Sequence, residues 1–362
     1  MRKQYLPRLQ GAIVGWALAG VVSCTATLAH AQLAGQSRAE GGTGAAAEIS
    51  KIAATYPFAG TTLQWWHSLN AISLNPGAEQ TFNPTYTWLV RFQPRYAITD
   101  KLRVSLKLDL NLELTNSDDT TKYRETQLGD TWLDFSFGPY KESFTGINMT
   151  PNLRFVLPTS KTSQARSLYT SISPAVSLSR SWKVGSMTLG LSYMFRYSKN
   201  LNKFTTVQYD TPSIASCQSF DADCGRYLHT GVRNSSMDFW NIFGFDWGIT
   251  SKLNFSAMVA LLNQIPYALT AANVPVAGGN SVAVGDTGDV RNRAAVWYYF
   301  DMSYTFHPTI TWGVGISTFN AQLAEDSTFR APFVNRFTEL TTYLSFSIDA
   351  IVAMFDSRRR AQ

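Results

Sequence analysis

The stretch from Leu102 to Leu114 alternates apolar and polar residues at every one of its positions. Successive side chains of a β-strand point to opposite faces, so its leucines and Val104 would share one face. The other face would carry charges of both signs, among them Lys107 and Asp109. At the period of a helix the same charges would spread around the whole circumference. The pattern therefore predicts a strand.

Similar alternation recurs along the chain and predicts twelve strands. Their approximate bounds are 60–74, 85–98, 102–114, 128–140, 147–157, 170–182, 187–198, 236–250, 252–263, 294–306, 310–319 and 338–350. Strands of a transmembrane barrel cross the bilayer in about 9–11 residues, with apolar side chains toward lipid and polar ones inside. The sequence thus predicts an all-β fold, a single transmembrane antiparallel β-barrel. A soluble sandwich or a solenoid is the alternative.

The connections between these strands alternate between short and long. Short ones fall near 99–101, 141–146, 183–186, 251 and 307–309, and longer ones near 75–84, 115–127, 158–169, 199–235, 264–293 and 320–337. Outer-membrane barrels have short periplasmic turns, long extracellular loops and an even number of strands. Twelve strands satisfy this rule, and ten or fourteen stay possible because the first strand and the 264–293 loop are ambiguous.

Composition agrees with a barrel but would also fit an extracellular β-protein. Charged residues make up 15% of the 362 residues, against about 25% in a usual soluble domain. Aromatic residues make up 13%, which suits the aromatic girdles of barrels. The formal charge of +6 includes three cations of the predicted signal peptide, so it gives no reason to expect a nucleic-acid partner.

Residues 1–31 have the pattern of a cleavable signal peptide. A basic start is followed by an apolar stretch, and Ala29-His30-Ala31 offers small residues for cleavage before Gln32. A rival interpretation is a lipoprotein signal in which Cys24 is acylated. Either pattern predicts export across the inner membrane.

The two ends of the mature chain differ from the alternating part. Residues 32–59 are rich in glycine and alanine, which predicts a flexible periplasmic segment or a small plug. The barrel is predicted over 60–355, followed by a basic tail at 356–362. Many outer-membrane barrels end on an aromatic residue, whereas Phe355 is followed by seven further residues.

Cys217 and Cys224 lie in the longest polar connection, and they are the cysteines left after cleavage at Ala31. In an exported protein such a pair predicts a disulfide. Metal binding is the weaker alternative, because His229 is the sole nearby partner. We expect no metal site and no cofactor.

The predicted interior face carries charges of both signs together with large aromatic side chains. These candidate lumen-lining residues are Arg91, Arg95, Arg103, Lys107, Asp109, Glu113, Asp130, Asp134, Arg154, Arg196, Asp238, Asp246, Asp301, Trp132, Trp240 and Trp297, with Tyr299 also inward. Pore-lining charges set selectivity, and inward aromatics suit a path for amphipathic solutes. Alternatively, the charges tie strands together and the aromatics fill space.

An enzyme is disfavoured by the placement of the few candidate catalytic residues. His67 and Ser68 superficially resemble the pair of an outer-membrane phospholipase. Neighbouring residues of a strand point to opposite faces, so this histidine cannot readily activate this serine. The phosphate-loop, zinc and dinucleotide motifs are absent from the sequence.

Two segments resemble a known family. Gln127-Leu128-Gly129-Asp130 opens one strand, and Asn152 to Ser160 closes the next with Leu157-Pro158-Thr159-Ser160. This is similar to the Gly-Asp and Leu-Pro-Thr-Gly arrangement of outer-membrane transporters linked to meta-pathway phenol degradation, with Ser160 in place of the usual glycine. The resemblance covers about residues 127–180. It implies uptake or channel activity for small molecules, aromatic ones among them, and carries no site residues.

These observations predict a channel or transporter of the outer membrane for small polar, amphipathic or aromatic solutes. The alternatives are a structural or adhesion barrel without conductance and, less favoured, a lipid hydrolase. Expected partners are outer-membrane lipid, lipopolysaccharide, the barrel-assembly machinery and a small-molecule solute.

Overall fold

A computed structural model describes residues 51–71, 85–115, 124–209, 228–268, 272–275, 281–284, 292–323, 328–335 and 337–360. Strands dominate these ranges. They are β1 Thr62–Asn70, β2 Tyr86–Gln93, β3 Arg95–Ala97, β4 Leu102–Glu113, β5 Thr126–Leu128, β6 Thr131–Phe137, β7 Tyr140–Lys141, β8 Asn148–Leu157, β9 Leu168–Val184, β10 Met187–Asn202, β11 Thr206–Tyr209, β12 Leu228–Arg233, β13 Ser235–Gly248, β14 Leu253–Pro266, β15 Ala272–Pro275, β16 Ser281–Val284, β17 Arg293–His307, β18 Ile310–Ala321 and β19 Thr338–Ser347.

Among the described residues, 51–54 are helical and two further helices accompany the strands. Helix α1 spans Lys161–Ala165 in the connection between β8 and β9, and helix α2 spans Ile348–Arg360 directly after β19. Within the described ranges, no helix is long and apolar enough to cross a membrane.

The main sheet closes on itself. Its strand order is β2-β1-β19-β18-β17-β14-β13-β10-β9-β8-β6-β4-β3, and β4 also pairs with β2. β2 and β3 form one barrel strand interrupted at Pro94, and β5, β6 and β7 together form another, so the fifteen strands of this sheet make twelve antiparallel barrel strands that complete the circle. The predicted fold class and the count of twelve are confirmed. Hairpins β11–β12 and β15–β16 extend from two of the long connections.

Pro94 interrupts its strand without changing the register. Phe92 pairs with Leu108 before the proline, and Arg95 pairs with Ser105 after it. Proline cannot donate a ladder hydrogen bond, but its carbonyl still accepts from the Leu106 N–H at 3.0 Å. The strand direction is therefore the same on both sides of Pro94, and so is the alternation of inward and outward side chains.

The burial pattern is the reverse of that in a soluble protein. In β4, Lys107 and Asp109 are only 2% and 3% exposed, whereas the intervening Leu108 and the following Leu110 are 39% and 44% exposed. Leucines of a soluble sandwich would be buried instead. Apolar outside and polar inside is the pattern of a barrel in lipid, and barrels of this kind belong to outer membranes. We therefore place the protein there.

The chain after β19 departs from the prediction. The last strand ends at Ser347 rather than near 350, and α2 takes up the end of the barrel predicted at 355 and most of the tail predicted at 356–362. Alternation gives way here to apolar residues three and four apart, as in Ile348, Ile351 and Phe355, which is helical spacing. The helix begins where the sheet pattern stops.

Residues before β1 pack against α2 at the end of the barrel where the short turns lie. Ala53, Ala350 and Ala353 are fully buried against one another, and small side chains allow this close approach. The Gly60 N–H donates to Asp349 Oδ2 at 2.9 Å. The part of the predicted flexible segment from residue 51 onward is thus attached to the barrel.

Several predictions fall on residues outside the described ranges. The signal peptide with Cys24, the first part of the 32–59 segment and the Cys217–Cys224 disulfide all lie there. They stay predictions.

Candidate functional site in the barrel interior

A charged wall lines the interior along β2, β4, β6 and β8. Register places Arg91 opposite Asp109, and the guanidinium donates to both carboxylate oxygens, at 2.8 Å from Nε and 2.9 Å from Nη2. Lys107 Nζ lies 3.1 Å from Asp109 Oδ2. All three side chains are buried. Burying charges is tolerable only when they are paired in this way.

A second ion pair continues this wall. Arg154 faces Asp134 across β6 and β8 and donates to its two oxygens at 2.6 and 3.1 Å. Trp132 lies between the two pairs, with Lys107 Nζ 3.3 Å and Arg154 Cζ 3.7 Å from its ring centroid. Desolvated cations are attracted to the face of an indole ring. Trp132 therefore joins the two ion pairs into one cluster.

Arg196 extends the charged wall onto β10. It is buried, and its Nη2 lies 3.7 Å from Met194 Sδ. Register places it directly opposite Trp240. The cluster holds three cations, Arg91, Lys107 and Arg154, against the carboxylates of Asp109 and Asp134. Arg196 is a further buried cation on the same interior face.

An apolar wall adjoins these charges, on β9, β10, β13, β14, β17 and β18. Trp240 stacks on Phe319 at 6.2 Å, and Trp297 meets the same ring edge-on at 6.2 Å. Trp297 Nε1 donates to Ser317 Oγ at 2.9 Å, which satisfies its buried N–H. The other members of this wall are Ala175, Met194, Ile242, Met258, Ala260, Leu262, Ala295 and Tyr299.

Sequence reasoning found the tryptophans of this wall but missed its aliphatic members. The signal was present in β14, where Ala257 to Leu262 contains no polar residue. A barrel strand that is apolar on both faces has one apolar face directed into the interior. Met258, Ala260 and Leu262 are the inward set, because they pair in register with Tyr299, Trp297 and Ala295.

A carboxylate on β17, closer to the short turns, is bound by one tyrosine of β17 and one of β19. Asp301 accepts from Tyr299 and Tyr343 hydroxyls, each at 3.0 Å. A Cβ at Gly313 would come within 2.3 Å of the Tyr343 ring, so only glycine lets that ring lie flat against the wall. Asp301, which was predicted to line the lumen, therefore forms a hydrogen-bonded group with Tyr299 and Tyr343.

The middle of the interior is filled by these side chains. Arg91, Lys107 and Trp297 have almost no surface that water can reach. Inward residues nearer each end, such as Asn111 and Asp246, are only partly buried. The described side chains pack tightly in the middle of the interior, so any passage between them is narrow.

The remaining predicted residues lie toward the two ends. Arg103 is exposed near the short turns, and Arg95 packs against Gly60, with its Nη1 3.2 Å from where a Cβ would lie. Toward the long loops, Glu113 Oε1 accepts from the Thr115 N–H at 2.8 Å. Asp238 accepts from Asn200, Ser235 and Gln264 at 2.8, 2.6 and 3.1 Å.

Asp130, which was predicted to line the lumen, anchors a loop. Its carboxylate accepts from the Ser160 N–H at 3.0 Å and from the Ser163 hydroxyl at 2.5 Å, which holds the start of α1. Thr159 Oγ1 donates to the Gly129 carbonyl at 2.6 Å. The two segments that carry the family resemblance therefore meet in one loop-anchoring cluster.

His67 and Ser68 point to opposite faces of β1. His67 Nδ1 lies 2.9 Å from the Tyr86 hydroxyl on the lipid-facing side. Ser68 Oγ donates inward to Glu339 Oε2 at 2.6 Å. This geometry does not provide a nucleophile and base in contact.

Comparisons with known proteins give structural likeness alone. No family model and no curated protein matches the chain, so the meta-pathway resemblance is not confirmed. An outer-membrane channel from Pseudomonas putida F1 aligns over 79% of this chain and 94% of its own, with 9% identity and a TM-score of 0.46. The NanC porin aligns over 79% of this chain and 98% of its own, with 10% identity and a TM-score of 0.37. The KdgM porin in complex with disordered oligogalacturonate aligns over 79% of this chain and 99% of its own, with 6% identity and a TM-score of 0.38.

These TM-scores are below 0.5. The likenesses therefore support neither a family nor a function for this chain. The closed twelve-strand barrel is established by its own strand pairing.

Proposed function

We propose that the protein is a narrow outer-membrane channel for small amphipathic or aromatic solutes. The observation that carries this proposal is the pairing of two unlike walls inside one barrel. Arg196 on the charged wall and Trp240 on the apolar wall are register partners, so the two surfaces meet directly. An amphipathic solute would match its polar part to one wall and its apolar part to the other.

Current through single proteins in planar bilayers tests this function. We expect small, discrete conductance steps, because the middle of the interior is packed. Proteoliposomes that neither conduct nor take up solute, with the barrel folded, would contradict the proposal.

The packed middle favours a second candidate, a structural or adhesion barrel without conductance. Two ion pairs link neighbouring strands, Arg91 with Asp109 and Arg154 with Asp134. This is expected if the interior charges stabilise the barrel. Absence of conductance would support this candidate. A lipid hydrolase is disfavoured because His67 and Ser68 point to opposite faces of β1. Lipid hydrolysis by the wild type that is lost in His67→Ala would support that function. Outer-membrane lipid, lipopolysaccharide and the barrel-assembly machinery are proposed as partners on the ground of location.

A further inference from the structure

The connection between β18 and β19 folds back over the outside of the barrel. Its residues 328–335 lie against β17, where the Phe333 ring packs on Tyr298 and Phe300 with centroids 5.1 and 5.7 Å apart. Tyr298 and Phe300 alternate along the strand with the inward Trp297, so they face away from the lumen. We call residues 328–335 the outer loop.

This contact places the outer loop at the depth of the membrane. Phe306 is an exposed outward side chain near the short turn that follows β17. A barrel strand crosses the bilayer in about 9–11 residues, and that count from Phe306 ends between Tyr298 and Val296. Phe333 therefore packs on the lipid-facing surface itself, in the half nearer the long connections.

Irregular backbone is stable at this depth only where its polar groups are satisfied by the protein. The Phe333 carbonyl accepts from Thr318 Oγ1 at 2.7 Å, and the Asn335 N–H donates to Thr338 Oγ1 at 2.8 Å. Thr318 and Thr338 are register partners on the outward face, and both are buried. The outer loop and these two threonines thus satisfy each other's polar groups beside the lipid.

The side chain of Asn335 fixes the outer loop in this position. Its Nδ2 donates to the Ala331 carbonyl at 2.8 Å and to Asn320 Oδ1 at 2.9 Å. Its Oδ1 accepts from the Phe337 N–H at 2.8 Å. One asparagine therefore joins the loop to β18 and to the residues just before β19.

The surface that the outer loop presents is apolar. Phe329 and Val334 are 75% and 66% exposed, and Phe333 and the nearby Leu323 are about half exposed. Large apolar side chains grouped in this way mark a contact with protein or membrane. The lipid-facing surface of β17 continues into this patch through Phe333, which favours lipid over a protein partner.

We propose that the outer loop is immersed in the outer leaflet of the membrane, where its apolar side chains bind the acyl chains of the lipid. This contact lies outside the barrel, so it does not depend on whether the lumen conducts. A connection that the strand count alone would place in water is thereby part of the surface that faces lipid.

Spin labels on the protein in phosphatidylcholine nanodiscs test the immersion. A label at Val334→Cys, in a background with Cys217→Ala and Cys224→Ala, is compared with labels at the lipid-facing Leu261→Cys and at Asp100→Cys in an exposed turn. Oxygen concentrates in bilayers and a water-soluble nickel chelate stays outside them, so the ratio of their relaxation effects reports what surrounds each label. We expect the ratio at Val334 to match that at Leu261 and to exceed that at Asp100 severalfold. The background protein without an added cysteine corrects for other labelling.

Breaking the bonds of Asn335 should release the outer loop. Asn335→Ala in the Val334→Cys protein should lower the ratio at Val334 toward that at Asp100. Asn263→Ala is the matched control, because Asn263 accepts from Asn292 in a different long connection, and it should leave the ratio unchanged. The labelled protein with the intact loop decides the matter if Asn335→Ala does not fold.

Two results for the label at Val334 in the intact loop would overturn the inference. Preferential access by the nickel chelate would place the loop in water. Low access by both reagents would mean that protein covers the patch, as in an interface between two copies of the chain. An oxygen-rich label that Asn335→Ala leaves unchanged would support immersion and remove Asn335 as its cause.

Discussion

The two walls of the interior are held together in different ways. The charged wall around Asp109 depends on directed contacts, because each buried cation must be met by a carboxylate or an aromatic face. The apolar wall around Trp297 depends on packing of rings and methyl groups. We therefore expect the stability of one wall to depend on its charges and the stability of the other to depend on its side-chain volume.

The same contrast explains how one barrel can present two surfaces to a solute. β4 alternates strictly, so its interior face is as polar as its outer face is apolar. β14 is apolar on both faces over its middle. A ring of such unlike strands gives an interior that is amphipathic across its width, a property that uniformly alternating strands would not produce.

The largest expected effect comes from breaking the charged wall at its shared carboxylate. Asp109→Asn leaves Arg91 and Lys107 buried without their counter-charge, which should cost about 3–5 kcal/mol of unfolding free energy. Asp100→Asn makes the same chemical change in an exposed turn and should stay within about 0.5 kcal/mol. Urea unfolding of both variants in lipid vesicles measures this. Equal stability of the two would show that the cluster is not held by this carboxylate.

The apolar wall should respond to volume. Leu262→Ala removes a side chain that is 5% exposed, and core truncations of leucine cost about 2–5 kcal/mol. Its neighbour Leu261 faces lipid and is 40% exposed, so Leu261→Ala is the matched control with a smaller loss. The same unfolding assay compares the two. A larger loss at Leu261 would reverse the assignment of faces.

A smaller and more selective effect is expected from the double change Arg103→Ser and Lys107→Ser. Removing two interior cations should move the reversal potential in a potassium chloride gradient toward greater cation permeability. Arg180→Ser, which removes a cation outside the interior, should leave that potential unchanged. Unaltered selectivity in the double variant would remove both residues from the ion path.

The number of strands and the direction in which their side chains point could be predicted, because alternation is a local property of the sequence. Twelve strands and the inward position of residues such as Lys107, Arg154 and Asp301 follow from parity once each strand is located. The resemblance segments around Gly129 and Thr159 were visible in sequence, but their meeting was not, since it depends on how two connections fold over the barrel.

Contacts between strands could not be obtained in the same way. The pairing of Arg91 with Asp109 depends on a register that one residue of slip would destroy. Helix α2 was missed because extrapolating a period-2 pattern past Ser347 ignored the change to helical spacing. The aliphatic part of the apolar wall was missed because a prediction that assigns polar residues inward overlooks strands apolar on both faces.

Solute flux into proteoliposomes tests most directly the claim that two unlike walls select amphipathic solutes. Benzenesulfonate and methanesulfonate carry the same permanent charge and differ in the ring. A plain water-filled pore would pass the smaller ion faster. We predict that benzenesulfonate enters faster than methanesulfonate, and that Trp240→Leu reduces this advantage while the lipid-facing Trp312→Leu does not. Faster entry of methanesulfonate in the wild-type protein would contradict the account.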